Sequence, residues 1–171
     1  MKRVLLIIAL LLLVLSSVII GFIKVAGVYR SSHVVSDGTS MEPTIHNGQQ
    51  LSVAVYENSN QIKRGDIVEY HSVHPLAQQY TSKGKLVHRV IALPGDRITV
   101  SKGKVVVYNT EHPEGFNPDT YLSPTIITDG TVDITMPSGQ YFVMGDNRPN
   151  ALDSRAIGTI AFSDIIGKVS Q

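Results

Sequence analysis

Short apolar runs separated by turn residues make up most of the chain from about residue 34 onward. Residues 51–56 alternate in the manner of a strand, and residues 66–70 follow a turn at Arg64 and Gly65. Alternation of this kind is typical of half-buried strands, and no helical period competes with it in this part of the chain. The pattern therefore predicts a mainly β domain.

The strongest strand signal covers residues 85–93 and ends at Pro94-Gly95-Asp96. His88 and Arg89 interrupt this apolar run, and buried polar groups need partners, so each requires an explanation. A histidine that is merely hydrogen-bonded in the core or at an edge remains one explanation for His88. Residues 97–100 and 104–108 predict a hairpin that turns at residues 101–103.

The other segments are assigned from the same kinds of signal. Residues 71–84 are polar and irregular, which indicates the far end of a hairpin, and residues 109–130 contain three prolines, which indicates an insertion or small flap. Four further strands are predicted at residues 131–136, 140–144, 157–160 and 165–169.

The amino-terminal run is different, because residues 4–23 carry no charge and are almost entirely apolar. Twenty helical residues span about 30 Å, the thickness of the hydrocarbon core of a bilayer. The alternative is a cleaved secretory signal, but its apolar region is only about 7–15 residues long, so one transmembrane helix is favoured. The predicted domains are a cytoplasmic tip (1–3), an anchor (4–23), a linker (24–33) and an extracytoplasmic β domain (34–171). Positive charge is nearly balanced across the anchor and only weakly favours a cytoplasmic amino terminus.

Composition excludes several classes of function. Fifteen Lys and Arg against 14 Asp and Glu give a formal net charge of +1, so there is no electrostatic basis for nucleic-acid binding. The chain has no cysteine, which excludes disulfides, thiolate zinc sites and a cysteine nucleophile. His71 and His74 lack a third ligand nearby in the sequence. We therefore expect neither a metal nor another cofactor.

Ser40 lies in a turn whose residues favour exposure. Gly38 permits backbone angles that side chains disfavour, and Pro43 restricts the chain just beyond the serine. A hydroxyl on a rigid turn suits nucleophilic attack on a carbonyl, although the segment alone also fits an ordinary turn. Ser40 is the candidate nucleophile.

Four stretches in order resemble the type I signal peptidases, the membrane-anchored serine proteases that remove signal peptides from exported proteins. The first contains Ser40 and the third begins at His88; the four are Gly38-Thr39-Ser40-Met41-Glu42-Pro43-Thr44, Arg64-Gly65-Asp66-Ile67-Val68, His88-Arg89-Val90-Ile91-Ala92-Leu93-Pro94-Gly95-Asp96, and Gly145-Asp146-Asn147 with Asp153-Ser154-Arg155. The resemblance extends over nearly the whole chain and is similar to Gram-positive members. It implies a signal-peptidase-type β catalytic domain outside the cell membrane.

The chain departs from the bacterial pattern at the general base. His88 stands where bacterial members carry lysine, and Ala151 stands where many carry a serine that hydrogen-bonds this lysine. Histidine at this place resembles the signal peptidase subunits of the endoplasmic reticulum and archaea. With an ordinary pKa of about 6.5, histidine is already mostly neutral at pH 7, so it needs less burial than lysine to accept a proton. If His88 is the base, activity should fall as the pH drops through about 6–7.

A carboxylate on the second ring nitrogen would keep His88 in the right tautomer. Asp153 is the first candidate for this role and Asp146 the second. Either aspartate could instead pair with one of the nearby arginines, Arg89, Arg148 and Arg155, and hold the loop together. Both explanations of Asp153 remain open.

The resemblance also implies the remaining parts of the site. The oxyanion would be bound by the backbone N–H of Ser40 in the region of Gly38, and Met41 would line the pocket for the first residue before the cut. The expected substrates are signal peptides of exported preproteins with small residues, typically alanine, at the first and third positions before the cut.

The alternative function is that of a catalytically impaired relative that binds or assembles surface proteins, and it is motivated by His88 and Ala151. An anchored ligand-binding β domain would leave the four motifs unexplained, and would gain support only if Ser40 and His88 were far apart.

Overall fold

The computed structural model of the chain describes residues 11–19, 31–81, 84–123 and 125–170. The chain divides into two units, residues 1–31 and residues 32–171. In the first unit residues 11–19 are helical, whereas the rest of the predicted anchor, the amino-terminal tip and most of the linker lie outside the described residues. Within the described ranges, no helix combines the length and the apolar character needed to cross a membrane. The transmembrane anchor therefore stays a prediction.

Ten strands lie among the described residues from Ser31 onward, and they confirm that the second unit is mainly β. They are β1 (Ser31–Val35), β2 (Gln50–Ala54), β3 (Ile67–His71), β4 (Lys85–Ala92), β5 (Arg97–Ser101), β6 (Lys104–Tyr108), β7 (Val132–Thr135), β8 (Gln140–Met144), β9 (Ile160–Ala161) and β10 (Ile165–Ser170). Seven lie in one sheet in the order β1-β2-β10-β3-β4-β8-β9, and three lie in a second sheet in the order β6-β5-β7. The pairings from β2 onward are antiparallel.

The larger sheet buries apolar residues on both faces, as the alternation along β3 requires. Val68 and Tyr70 pack into one core with Val90, Tyr141 and Val143. Residues of opposite parity on β3 and β4 face a second core, which contains Met41, Ile45, Leu51, Val53 and Val169, with Ile67 and Val87 packed against it. The Ser40 turn is therefore seated on the sheet through its neighbours Met41 and Ile45.

The hairpin of β5 and β6 is confirmed and covers one end of the larger sheet. Its buried residues Ile98, Val100, Val105 and Val107 pack with Ile91, Ala92, Phe142 and Met144 in a third core. This contact holds the ends of β4 and β8 in place, directly before the loop that begins at Gly145.

Two short helices correct the sequence predictions. Residues 71–84 contain α1 (Pro75–Tyr80), which has proline in its first turn and the His74 side chain as its amino-terminal cap. The predicted strand at residues 157–160 is not present as one strand. Its first residue ends α2 (Ser154–Ile157), which is capped by Asp153 and Gly158, and only the short strand β9 follows. A local cap and a glycine at φ 82° therefore outweigh the β propensity of the two isoleucines.

The predicted flap at residues 109–130 is a loop with short turns, described except for Pro124. Several contacts fasten it to the body of the domain. Phe116 bridges to Val107, Asp119 forms an ion pair with Arg148, and the guanidinium of Arg89 lies 4.2 Å from the ring centre of Tyr121. The flap thereby covers the charged side chains of the loop that follows β8.

Candidate active site

The Ser40 turn is held by its own backbone. Gly38 has a φ of 106°, a value that side chains disfavour, and its N–H donates to the side-chain oxygen of Asn47 at 3.0 Å. Further along, Glu42 N–H donates to the carbonyl of Thr39 at 3.1 Å, and the peptide bond before Pro43 is cis. Ser40 itself is half-buried at the surface of this turn. The serine therefore lies on a hydrogen-bonded turn, where it is half-buried and not fully exposed as the turn residues favour.

The loop after β8 fixes the turn from the other side. The backbone N–H of Asn147 donates to the carbonyl of Ser40 at 2.9 Å, and its side-chain amide donates to the carbonyl of Thr39 at 3.0 Å. A Cβ at Gly145 would lie only 2.5 Å from the Ser40 carbonyl oxygen and 2.4 Å from Cβ of Ala151. Only glycine therefore allows the first and fourth sequence motifs to approach this closely.

A cavity of about 540 Å³ joins the two candidate catalytic residues. Ser40 and His88 both line it, together with Gly38, Leu86 and residues of the loop after β8 that include Ala151. Residues 48 positions apart in the sequence are thus brought to one site, as the motif order predicts. An arrangement in which Ser40 and His88 were far apart, the condition that favours a simple ligand-binding domain, does not occur.

His88 is almost completely buried, with only 1% of its surface exposed. Its Nδ1 lies 2.8 Å from the hydroxyl oxygen of Tyr70, whereas Nε2 has no hydrogen-bond partner among the described residues. Burial lowers the pKa of the imidazole to about 4, although the negative charge of Asp153 acts in the opposite direction. The value of 6–7 expected from the sequence is therefore too high for the folded protein, because the sequence does not reveal the loss of water around the ring.

Tyr70 is the residue that sequence reasoning missed. The register of β3 and β4 pairs Val68 with His88, so Tyr70 lies diagonally across from His88 on the same face of the sheet. Burial, reinforced by the charge of Asp153, raises the pKa of the Tyr70 hydroxyl well above its usual value, so the hydroxyl stays neutral. In the sequence, the contact between Tyr70 and His88 is indicated only by the presence of a tyrosine in the strand that follows Arg64 and Gly65.

Both candidate carboxylates are bound to arginine. Asp153 accepts from the guanidinium of Arg155 at 2.8 Å through each of its oxygens, and it also accepts from the backbone N–H of Gly145 at 3.0 Å. Asp146 is likewise held by two hydrogen bonds from Arg89, at 2.9 and 2.6 Å. This is the loop-holding arrangement that the sequence left open as an alternative for Asp153. Among the described residues, the contact to His88 Nδ1 comes from Tyr70 and not from Asp153 or Asp146.

The backbone N–H groups of Ser40 and Gly38 differ in whether they already have an acceptor. In the part of the chain that the structure describes, the N–H of Ser40 makes no backbone or side-chain hydrogen bond, whereas the N–H of Gly38 is already bound to Asn47. A donor that points at no protein acceptor can bind a developing oxyanion. Of the two positions predicted to bind the oxyanion, Ser40 therefore has an unbound N–H and Gly38 does not.

A second cavity of about 420 Å³ is also lined by Ser40. Met41, the residue expected to line the substrate pocket, lies in its wall, and so do Glu69 and Lys85. No group of three or more His, Cys, Asp or Glu side chains within the described residues could hold a metal ion.

Comparison with known proteins identifies the family. The model of the signal peptidase family, peptidase S26, matches residues 3–171. The chain belongs to this family. Membership confirms the resemblance that the four motifs carry, and it makes the chain a serine endopeptidase of the signal peptidase class.

Individual signal peptidases are similar over most of the chain. Signal peptidase I P of Bacillus subtilis subsp. natto is 34% identical over 139 residues, which cover 78% of this chain and 71% of the relative. Signal peptidase IB of Staphylococcus aureus is 29% identical over 147 residues, which cover 78% and 72%. A crystal structure of a signal peptidase I from Enterococcus faecalis aligns with 64% of this chain and 97% of that chain, at 21% identity and a TM-score of 0.47.

Proposed function

We propose that the chain is a membrane-bound serine endopeptidase that removes signal peptides from exported preproteins after small residues, of the Ala-x-Ala type. Ser40 is the nucleophile and His88 is the general base. The observation that carries this proposal is the shared cavity of Ser40 and His88, in which one nitrogen of the imidazole is held by Tyr70 and the other has no partner among the described residues. No cofactor takes part.

The reaction begins when Nε2 of His88 accepts the proton of Ser40 as Oγ attacks the scissile carbonyl carbon. The resulting oxyanion binds the N–H of Ser40. When the C–N bond breaks, the imidazolium returns the proton to the leaving amine, and an acyl-enzyme remains. Water then attacks the ester with His88 again as base, which releases the carboxylic acid and restores Ser40.

This role requires one tautomer of His88. Nε2 can accept a proton only if Nδ1 carries the hydrogen, which then donates to the Tyr70 oxygen. Tyr70 would thus do for His88 what a serine hydroxyl does for the lysine of many bacterial relatives, whereas Ala151 offers no such group. The negative charges of Asp153 and Asp146 favour the imidazolium that forms during the reaction.

The domain organisation completes the proposal. Residues 4–23 anchor the chain in the cell membrane, with residues 1–3 cytoplasmic, residues 24–33 as a linker and residues 34–171 extracytoplasmic. Signal peptides are embedded in the same membrane as the anchor, so anchoring raises the effective concentration of substrate at the site.

The direct test uses the detergent-solubilised full chain and a preprotein with an Ala-x-Ala site. We expect one cut after the second alanine, identified by mass spectrometry of both products, and none with Ser40→Ala. A parent protein that binds the preprotein without cutting it, and that gains activity from His88→Lys combined with Ala151→Ser, would instead support the catalytically impaired binding factor.

The pH profile provides a second test. The active form of His88 is neutral, so kcat/KM should be constant from about pH 5.5 to 8 and should fall about tenfold per pH unit below the pKa of about 4. Circular dichroism at each pH, with recovery of activity at pH 7, separates protonation from unfolding. A midpoint near 6.5 would contradict the buried environment of the ring.

Tyr70→Phe tests the orientation of the imidazole. Losing one hydrogen bond to a group that becomes charged should lower kcat roughly 10- to 100-fold with little change in KM, and should move the acid limb to lower pH. Tyr141→Phe is the matched control, because Tyr141 is equally buried but its hydroxyl donates to the Ser59 carbonyl. Equal effects of the two variants would assign Tyr70 a merely structural role.

A further inference from the structure

A buried carboxylate stands in the cavity beside Met41, where nothing in the proposed reaction uses it. Glu69 has only 3% of its surface exposed, and its Oε1 lies 3.5 Å from Nζ of Lys85. Its other oxygen, Oε2, has no hydrogen-bond partner in the described part of the chain, and neither has the buried hydroxyl of Thr81, which lines the same cavity. An unpaired buried carboxylate oxygen is costly, so a donor from a bound molecule would be favoured there.

The strand geometry indicates which molecule reaches this oxygen. Among the described residues, β4 pairs with β3 along Lys85–Arg89 but with β8 only from Arg89 onward. The stretch from Lys85 to His88 therefore has one free edge, which ends at the cavity of Ser40. An extended peptide can lie along such an edge and form main-chain hydrogen bonds with it.

Successive side chains of an extended peptide point to opposite sides. The first and third residues before the cut would therefore enter the cavity beside Met41, and the second would enter the other cavity. Glu69 and Val87 are directly paired across the strands and so share a face, which is opposite to that of His88. Ser40, Met41, Glu69 and Lys85 all line this cavity, and the bond would be cut next to Ser40. Side chains two residues apart are about 7 Å apart, so the third residue before the cut would lie beside Glu69.

We propose that Glu69 makes this enzyme favour a hydroxyl side chain, Thr or Ser, at the third position before the cut. The hydroxyl donates a hydrogen bond to Oε2 of Glu69. Alanine and valine side chains have no donor and cannot form this bond. Lys85 argues against a lysine at this position, because its ammonium group already lies beside the carboxylate and would repel a second one. This inference rests on the proposed function and predicts that, among signal peptides with small residues at these positions, Thr-x-Ala and Ser-x-Ala sites are preferred to Ala-x-Ala sites.

Binding to the full chain carrying Ser40→Ala tests the subsite without catalysis. Peptides with Thr-x-Ala and Val-x-Ala are nearly equal in shape, and fluorescence anisotropy should give a Kd about tenfold lower for the threonine peptide. Adding Glu69→Val should reverse the preference, whereas Glu69→Gln, which keeps the size of the side chain, should reduce it. Glu57→Gln, at an exposed glutamate, should leave it unchanged.

The same peptides in competition for the parent enzyme separate the two proposals. Binding preference without cleavage would contradict the peptidase function and support the subsite. Cleavage of both peptides at equal kcat/KM with equal binding, or a preference for Lys-x-Ala, would overturn the role of Glu69 and leave the peptidase function intact. Thermal melting of the Glu69→Gln variant shows whether the subsite was probed in a folded protein.

Discussion

Replacing Ser40 with alanine is expected to lower the rate of preprotein cleavage by at least about 10⁴-fold, and His88→Ala should have an effect of similar size. Residues that act as one unit are strongly non-additive, so the double variant should lose no more than either single variant. The physical reason is that Oγ is a weak nucleophile unless its proton moves to Nε2 as it attacks. Single-turnover cleavage of an Ala-x-Ala preprotein measures all three rates.

The controls are a serine and a histidine outside the site. Ser138→Ala and His112→Ala, both at exposed positions, should keep the rate of the parent. His88→Gln replaces the ring by a side chain that cannot accept the proton as a base, and it leaves a smaller cavity than alanine does. Losses that multiply in the double variant, or a fast His88→Gln variant, would show that the two side chains act independently and that another group is the base.

How far the sequence predicts the fold depends on the range of the interactions. The strands at residues 85–93 and 140–144 follow from local apolar runs, although His88 and Arg89 interrupt the first of them. A mostly apolar run that is bounded by turn residues needs no long-range information to be recognised. By contrast, α1 and α2 are too short to show a helical period, and each depends on one cap, His74 or Asp153. Elements of one turn are set by such local contacts, which a pattern does not reveal.

The same distinction applies to the site. Ser40 and His88 were found from motifs, but the Tyr70 contact with His88 depends on the register between β3 and β4, which the sequence leaves unspecified. The choice between two partners of Asp153 was open for the same reason. The shift in the pKa of His88 depends on burial by several segments at once, so only the folded chain reveals it.

Removing Asp119 should destabilise the domain, because this residue pairs with an arginine that has no access to water. Arg148 is 1% exposed and makes two hydrogen bonds to Asp119, and it also donates to the Thr128 hydroxyl and to the carbonyl of Gly145. Burial opposes the charge of this guanidinium, but Asp119 outweighs it and keeps the pKa of Arg148 above its usual value. Breaking a buried pair costs about 3–5 kcal/mol, and we expect Asp119→Ala to lower the free energy of unfolding by about 3 kcal/mol, since the remaining partners of Arg148 retain part of the stabilisation.

A second arginine–aspartate pair, also joined by two hydrogen bonds, provides the control. Arg97 donates two hydrogen bonds to Asp133, at 2.8 and 2.7 Å, but both side chains are exposed, so Asp133→Ala should change stability little. The urea midpoints of the two variants and the parent, compared at equal m-values, measure the difference. Replacing Arg148 with methionine together with Asp119→Ala should recover much of the loss, because the uncompensated charge is then removed.

Cleavage activity should fall with Asp119→Ala but not with Asp133→Ala, because Arg148 also holds the Gly145 carbonyl, directly beside the Ser40 turn. If Asp119→Ala and Asp133→Ala lowered the stability equally, the burial of Arg148 would not be the reason that its ion pair stabilises the domain.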